Sequence, residues 1–345
     1  MACADSPSVL VLYGLDERSL DFEIVSTLAL VRSVTEALLA RGWRALPLQV
    51  THDLITTLQP FPPSEWVVFN LCEGSIHQAF YYARATRALA EMGYIFTGSD
   101  AWTLDETQYK QRMKACLEAA SVPTAPWAIV EHPEAIAFEH FPAIVKPSAE
   151  HCSYGITRDS VVLTPEEART QCRRVIHAFQ QPALIEAFLD SPEYNVSIWG
   201  TAEEARVLAI SMMTYDAFPD IHDRLCTFEA KWVVDSEAYQ RIPAICPAPL
   251  TDELRARIEA VALAAYRATR CRDYGRVDLR LRQGEPMVLD VNANCDVSPE
   301  GGFARAAQVA GLSYAEMIEA LLISALTRCA AQPARCVAAP IEPSR

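Results

Sequence analysis

Ser8-Val9-Leu10-Val11-Leu12-Tyr13-Gly14 is an apolar run of strand length that enters a loop at its glycine, and residues 20–41 then carry apolar positions at helical spacing up to Gly42. Residues 44–50 and Trp66-Val67-Val68-Phe69-Asn70-Leu71 read as two further strands, separated by the breaker-rich Gln59-Pro60-Phe61-Pro62-Pro63-Ser64. A helix over 77–92 and a strand over 94–97 complete an alternating unit. Such alternation predicts a mostly parallel sheet with ligands at the carboxyl ends of its strands. The first strand is not followed by GxGxxG, so a dinucleotide site is not indicated.

Beyond residue 100 the pattern changes. Thr103-Leu104-Asp105-Glu106 has capping-box spacing and predicts a helix to about residue 120. Lys110 and Lys114 lie one turn apart on it and share a face, as solvated lysines often do. Val122-Pro123-Thr124-Ala125-Pro126-Trp127 breaks the chain before a second, smaller α/β unit. There Phe141-Pro142-Ala143-Ile144-Val145-Lys146-Pro147 reads as a buried strand ending on a lysine, which either reaches water or binds phosphate beside the polar loop 148–155. Thr164 caps a helix with Pro165 in its first turn. Residues 183–189 are an apolar strand interrupted by Glu186, and 192–199 and 206–213 read as antiparallel strands. The aperiodic stretch 214–232 holds Asp, His, Arg and Lys and has the length of a functional loop. Thr251 caps a helix to about residue 270, Ser313 caps the last one, and 331–345 is expected to be a disordered tail.

Residues 275–292 form two alternating runs about a glycine-containing break and predict a β-hairpin. With a three-residue loop, Gln283 to Glu285, Asp278 lies opposite Asp290 and Arg276 opposite Asn292. A two-residue loop puts them on opposite faces. Facing carboxylates with Cβ atoms about 5 Å apart repel unless a cation lies between them. Two Asp and one Asn are hard oxygen ligands suited to Mg²⁺. The other reading of the same residues is a solvated hairpin face.

Composition narrows the class. A chain of 345 residues, 51% hydrophobic and 21% charged, has material for two or three globular domains. Its formal net charge of −14 argues against a nucleic-acid partner. No apolar run approaches a membrane span and residues 1–7 do not resemble a signal peptide, so a cytoplasmic protein is expected. The 11 cysteines are scattered without CxxC spacing, which predicts reduced thiols, with Cys72, Cys116, Cys172 and Cys246 as small core residues.

From about residue 8 to 326 the order of features resembles the ATP-grasp superfamily, in its D-alanine–D-alanine ligase-like branch. The landmarks are Phe69-Asn70-Leu71-Cys72-Glu73-Gly74, the stretch 94–99, Lys110, the stretch 122–127, Val145-Lys146-Pro147, the stretch 186–193, Glu229-Ala230-Lys231, Arg276-Val277-Asp278 and Asp290-Val291-Asn292. Each is short, and their order carries the resemblance. It implies an α/β and α+β protein with three parts: a Rossmann-like parallel-sheet domain over 1–104, a small α+β subdomain over 105–182 and a large one over 183–330. ATP would lie between the last two. By the same resemblance Lys110 and Lys146 are phosphate lysines, while Glu186 with the backbone of Ala187 to Leu189 reads the adenine edge. Glu193 takes the ribose, and Lys231 sits on a mobile loop over the phosphates. Asp278, Asp290 and Asn292 hold two Mg²⁺ ions, for which Mn²⁺ can substitute. Arg276 stands by the reacting carboxylate. The implied chemistry is transfer of the γ-phosphoryl of ATP to a carboxylate and attack of an amine on the acyl phosphate. A homodimer through the first domain is a family tendency.

The amino-acid pocket departs from the branch. Glu73 stands where those ligases carry histidine, Cys152 where they carry a loop serine, and Trp232 where they carry tyrosine. Their proline-glycine turn and later serine become Ala293-Asn294-Cys295-Asp296 and Gly301-Gly302. Glu73 or Asp296 would suit a substrate ammonium, or simply bind water or cap a helix. The expectation is a divergent amino-acid ligase of specialised metabolism that does not join two D-alanines. The alternatives are a cyclising or ester-forming ligase and a non-catalytic ATP-binding protein.

Overall fold

A computed structural model describes residues 7–15, 19, 21–50, 53–72, 81–151, 153–227, 236 and 240–331. Strand β1 (Ser8–Gly14) lies between β2 (Ala45–Val50) and β3 (Trp66–Leu71) in a parallel three-stranded sheet, order β2-β1-β3. Helix α1 (Asp21–Ala40) covers one face; α2 (Leu54–Leu58), capped by Asp53, and α3 (Tyr81–Glu91) follow in order. The expected strand over 94–97 is reduced to one parallel bridge, Val68 with Phe96. The short α2 was not apparent in the apolar pattern, because its five residues are fewer than two helical turns.

The helix predicted from Thr103 is two helices. Asp100, not Thr103, caps α4 (Ala101–Gln108), its side chain accepting from the Thr103 amide. Extended backbone at Tyr109 then separates it from α5 (Lys110–Ala119). The break lets the Lys110 amide bond to the Ser148 carbonyl.

Two antiparallel sheets follow. One has the order β4-β7-β5-β6, with β4 (Trp127–Val130), β5 (Ala143–Pro147), β6 (Val161–Val162) and β7 (Ala183–Ala187). Helix α6 (Pro165–Phe179), capped by Thr164, lays Ala168, Cys172 and Val175 on Val145 and Ile185. The opposite face of that sheet carries Lys146 and Glu186, two positions apart across the β5–β7 register. The other sheet has the order β10-β9-β8-β11-β12: β8 (Glu193–Trp199), β9 (Arg206–Met213), β10 (Ala244–Ile245), β11 (Tyr274–Arg282) and β12 (Glu285–Asn292). Helix α7 (Asp252–Ala268) packs Ile258, Ala262 and Tyr266 against Val277, Leu279, Val288 and Val291. The chain closes with α8 (Gly302–Val309) and α9 (Tyr314–Ala331), which share a core with β1, β3 and α1. Among the described residues no single helix is long and apolar enough to cross a membrane.

Of the two loop lengths considered, the hairpin has the shorter. Arg282 pairs with Glu285, so only Gln283 and Gly284 turn the chain, both at positive φ (53° and 84°), as a primed hairpin turn requires. A bulge between Asp278 and Leu279 makes Leu289 the extra residue of β12. That shift restores the register in which Asp278 faces Asp290 and Arg276 faces Asn292.

Candidate active site

Alternation along β11 puts Arg276, Asp278 and Arg280 on the face away from α7. The facing β12 residues add Asp290 and Asn292, and β8 adds Glu193 and Asn195, with Asn195 opposite Asp278 and Glu193 opposite Arg280. Asp278 is buried and fully engaged. Arg276 forks it, Nε to Oδ1 at 2.7 Å and Nη2 to Oδ2 at 2.8 Å, while the amides of Asn195 (2.8 Å) and Asn292 (3.0 Å) each donate to one oxygen. Burial pushes the Asp278 carboxyl up, against the Arg276 fork and with Glu193 and Asp290 adding to the rise. Burial disfavours the Arg276 charge as well, but its pairing with Asp278 outweighs that and holds it charged. For Asp290 burial again raises the carboxyl, yet Lys110, His151 and Lys146 outweigh it and leave it below its usual value. The two facing carboxylates are thus held in different charge environments.

The lysines arrive from the other sheet and from α5. Glu186 is 1% exposed and lies between Lys114 and Lys146, its Oε2 2.7 Å from Lys114 Nζ and its Oε1 against Lys146 Nζ. Lys114 also donates to Thr124 Oγ1 at 2.8 Å, and Thr124 in turn to the Val288 carbonyl of β12. This ties the two sheets together. Lys110 contacts the Glu150 carbonyl, and burial, ahead of its charged neighbours, depresses its ammonium. Lys146 is also disfavoured by burial, but Glu186 and Asp290 more than offset that and raise it. The Glu186 side chain is therefore engaged with two lysines; Ala187 ends the strand and Leu189 follows it.

Of the predicted residues, Lys110, Lys146, Glu186, Glu193, Arg276, Asp278, Asp290 and Asn292 converge through these contacts. Asp296 lies apart, exposed, accepting from the Ser298 amide and hydroxyl at 2.8 Å each. Gly301 is packed so closely that a Cβ there would fall 2.8 Å from Asp296 Oδ2. Glu73, Cys152, Lys231 and Trp232 lie outside the described residues. Cys72 and Cys172 are buried as expected, but Cys116 and Cys246 are only partly covered. Asn195 and Arg280 join the site face as well, and Lys114, which sequence alone places no more specifically than on a solvated helix face, is fully buried. Period-two spacing from Glu193 and Asp278 was the signal for the first two.

Among the described residues no three His, Cys, Asp or Glu side chains gather as a metal cluster. Two carboxylates and a carboxamide nevertheless form an all-oxygen set that fits Mg²⁺ in a site completed by water and phosphate oxygens. Asp278 already carries one cation beside it, the Arg276 guanidinium at 2.7 Å.

This arrangement, a parallel sheet followed by two antiparallel sheets that face each other across lysines and a carboxylate hairpin, is the ATP-grasp ligase fold. The D-alanine–D-alanine ligase from Bacillus anthracis, solved in complex with ATP, superposes with a TM-score of 0.75, covering 95% of this chain and 100% of that one at 18% identity. Residues 116–323 match the family described as the D-ala D-ala ligase C-terminus. The D-alanine–D-alanine ligase of Alcanivorax borkumensis is 32% identical over 234 residues, 68% of this chain and 69% of its own. An uncharacterized protein, y4sG, of Sinorhizobium fredii is 31% identical over 298 residues, 84% and 85% of the two chains. The chain belongs to the D-alanine–D-alanine ligase family of ATP-grasp carbon–nitrogen ligases.

Proposed function

We propose that this protein is an ATP- and Mg²⁺-dependent ligase that joins the carboxylate of one amino acid to the amine of another, and that the pair is not two D-alanines. The observation that carries the reading is the cluster in which Lys146 pairs with Glu186 and the charges of Lys110 and Lys146 act on Asp290, beside Arg276, Asp278 and Asn292. A carboxylate oxygen attacks the γ-phosphorus of ATP, the bond to the β-phosphate oxygen breaks, and ADP leaves. The amine nitrogen then attacks the acyl carbon, the C–N bond forms, phosphate leaves, and the nitrogen gives up its proton. Transfer of this kind needs alignment and charge neutralisation rather than a protein nucleophile. Lys110 and Lys146 supply positive charge for the phosphates. Asp278, Asp290 and Asn292 would hold Mg²⁺, which supplies Lewis-acid neutralisation of the phosphate oxygens. Arg276, kept charged by its pairing with Asp278, offers N–H donors to the oxyanion of the tetrahedral intermediate.

The departure from D-alanine rests on the acceptor side. A side chain at position 301 would bring a Cβ to 2.8 Å from Asp296 Oδ2 and 3.0 Å from the Ser298 carbonyl, so a serine fits there only if Asp296 and the backbone at Ser298 shift. The test is ADP release with Mg²⁺ and ATP across single and paired L- and D-amino acids, with product masses. We expect ADP and a mass lower by one water for a pair other than D-alanine with itself. D-alanyl-D-alanine as the main product would refute the proposed specificity, and turnover indifferent to every amino acid would refute the ligase reading.

A further inference from the structure

Arg280 is the second arginine of the site face and takes no part in the chemistry above. It is 4% exposed, and its guanidinium lies 4.5 Å from the ring centre of Tyr215 and 5.3 Å from that of Phe188. Nη1 donates to the Leu189 carbonyl at 2.9 Å and Nη2 to the Arg224 carbonyl at 3.1 Å. Two backbone oxygens and two aromatic faces therefore fix the plane of the group, in the way a planar guanidinium can be fixed and a lysine cannot. A further donor, Nε, points at Glu193 Oε2, 3.4 Å away. The Tyr215 hydroxyl stands at the same 3.4 Å from that oxygen, and Asn195 Nδ2 at 3.4 Å from Oε1. These three donors stand farther from the Glu193 oxygens than the 2.7–3.0 Å donors stand from those of Asp278, and they orient the carboxylate.

We infer that Arg280 is a positioning residue that gives the nucleotide site its preference for a ribose over a deoxyribose, by holding Glu193 aimed at the sugar hydroxyls. The inference rests on the reading of Glu193 as the ribose carboxylate. A hydroxyl donating to a charged acceptor contributes about 1.5–3 kcal/mol, so losing one sugar hydroxyl weakens binding about tenfold or more, provided the carboxylate is held in place. With Arg280 removed, Glu193 can turn to water and the hydroxyls lose that advantage.

The experiment is calorimetric titration of the full-length protein with ATP, 2′-deoxy-ATP and 3′-deoxy-ATP in the presence of Mg²⁺, which needs no knowledge of the amino-acid substrates. The wild type should bind at least one deoxy analogue about tenfold more weakly than ATP. In Arg280→Met that ratio should fall to about twofold or less, mainly because ATP itself binds more weakly. Arg280→Lys keeps the charge without the fork and guards against a misfolded Met variant; its ratio should fall between the two. Glu193→Ala separates the inference from the reading beneath it. If Glu193→Ala loses the discrimination and both Arg280 variants keep it, Arg280 does not position Glu193 and the inference is overturned. If Glu193→Ala keeps the discrimination, the ribose reading fails and the inference fails with it. A purely structural arginine would weaken all three nucleotides equally and leave the ratio at its wild-type value, which also overturns the inference.

Discussion

Glu186 shows how a single side chain couples fold to site. A carboxylate 1% exposed is tolerated only because Lys114, 0% exposed, and Lys146 are both against it, and removing its charge would leave two buried ammoniums facing one another. Glu186→Gln is therefore expected to cost roughly 3–5 kcal/mol of stability, read as a lower urea midpoint at neutral pH. The pH dependence has a definite sign. Burial raises the Glu186 carboxyl, but the two lysines outweigh it and hold it below its ordinary 4.5. A depressed folded-state value means that the stabilisation is present above the unfolded value and is lost as pH falls through the folded one. Below about pH 4.5 the wild type should lose stability faster than Glu186→Gln, so the two midpoints converge in acid. Parallel curves there would show that the triad contributes nothing to acid stability.

At the level of elements, the hairpin shows what the pattern of residues discloses and what it conceals. The facing of Asp278 and Asp290 was legible, because alternation and a glycine-containing break fix the faces of two strands. The route to it was not. The three-residue loop gave the observed pairing, whereas the chain reaches it by a two-residue turn plus a bulge at Leu289. A bulge leaves one clue, which is buried Val288 and Val291 three positions apart where alternation asks for two, and that spacing is equally that of a helix. The split at Tyr109 was hidden for a similar reason, since neither side carries a breaker residue and the cause is a tertiary bond from the Lys110 amide to Ser148. The burial of Lys114 is not legible from its helix, because its partner Glu186 lies far along the chain. The turn geometry is itself testable. Gln283 sits at φ 53°, where asparagine is at ease and glutamine is not. Gln283→Asn would create the favoured Asn-Gly turn and should raise stability by roughly 0.5–1 kcal/mol in urea denaturation. No change would favour a loop in which only the glycine is left-handed.

For the whole molecule, the question is how the parallel sheet near the start of the chain is held to the site hairpin. Among the described residues the join includes a shared core, a buried ion pair and the bonds of Arg41 and Trp43 to Glu319 of α9. Val9, Val11, Val67 and Phe69 of the sheet pack with Tyr274, Phe303, Ile318 and Leu322, so the sheet's apolar face is completed by residues from the last quarter of the chain. Beside this core Asp273, 0% exposed, takes Nε and Nη2 of Arg328 at 3.0 Å each and the Gly98 amide at 2.9 Å, while Arg328 Nη2 also reaches the Phe96 carbonyl at 2.9 Å. One arginine of α9 thus binds the segment after α3 and Asp273, the residue just before β11 and three before Arg276. Arg328→Met would leave Asp273 buried without its counter-charge and should cost roughly 3–5 kcal/mol. Because the core is shared, that loss should appear in calorimetry as a single unfolding peak displaced to lower temperature as a unit. A separate early peak, with nucleotide binding surviving above it, would mean that the parallel sheet unfolds alone and that the site hairpin does not depend on it.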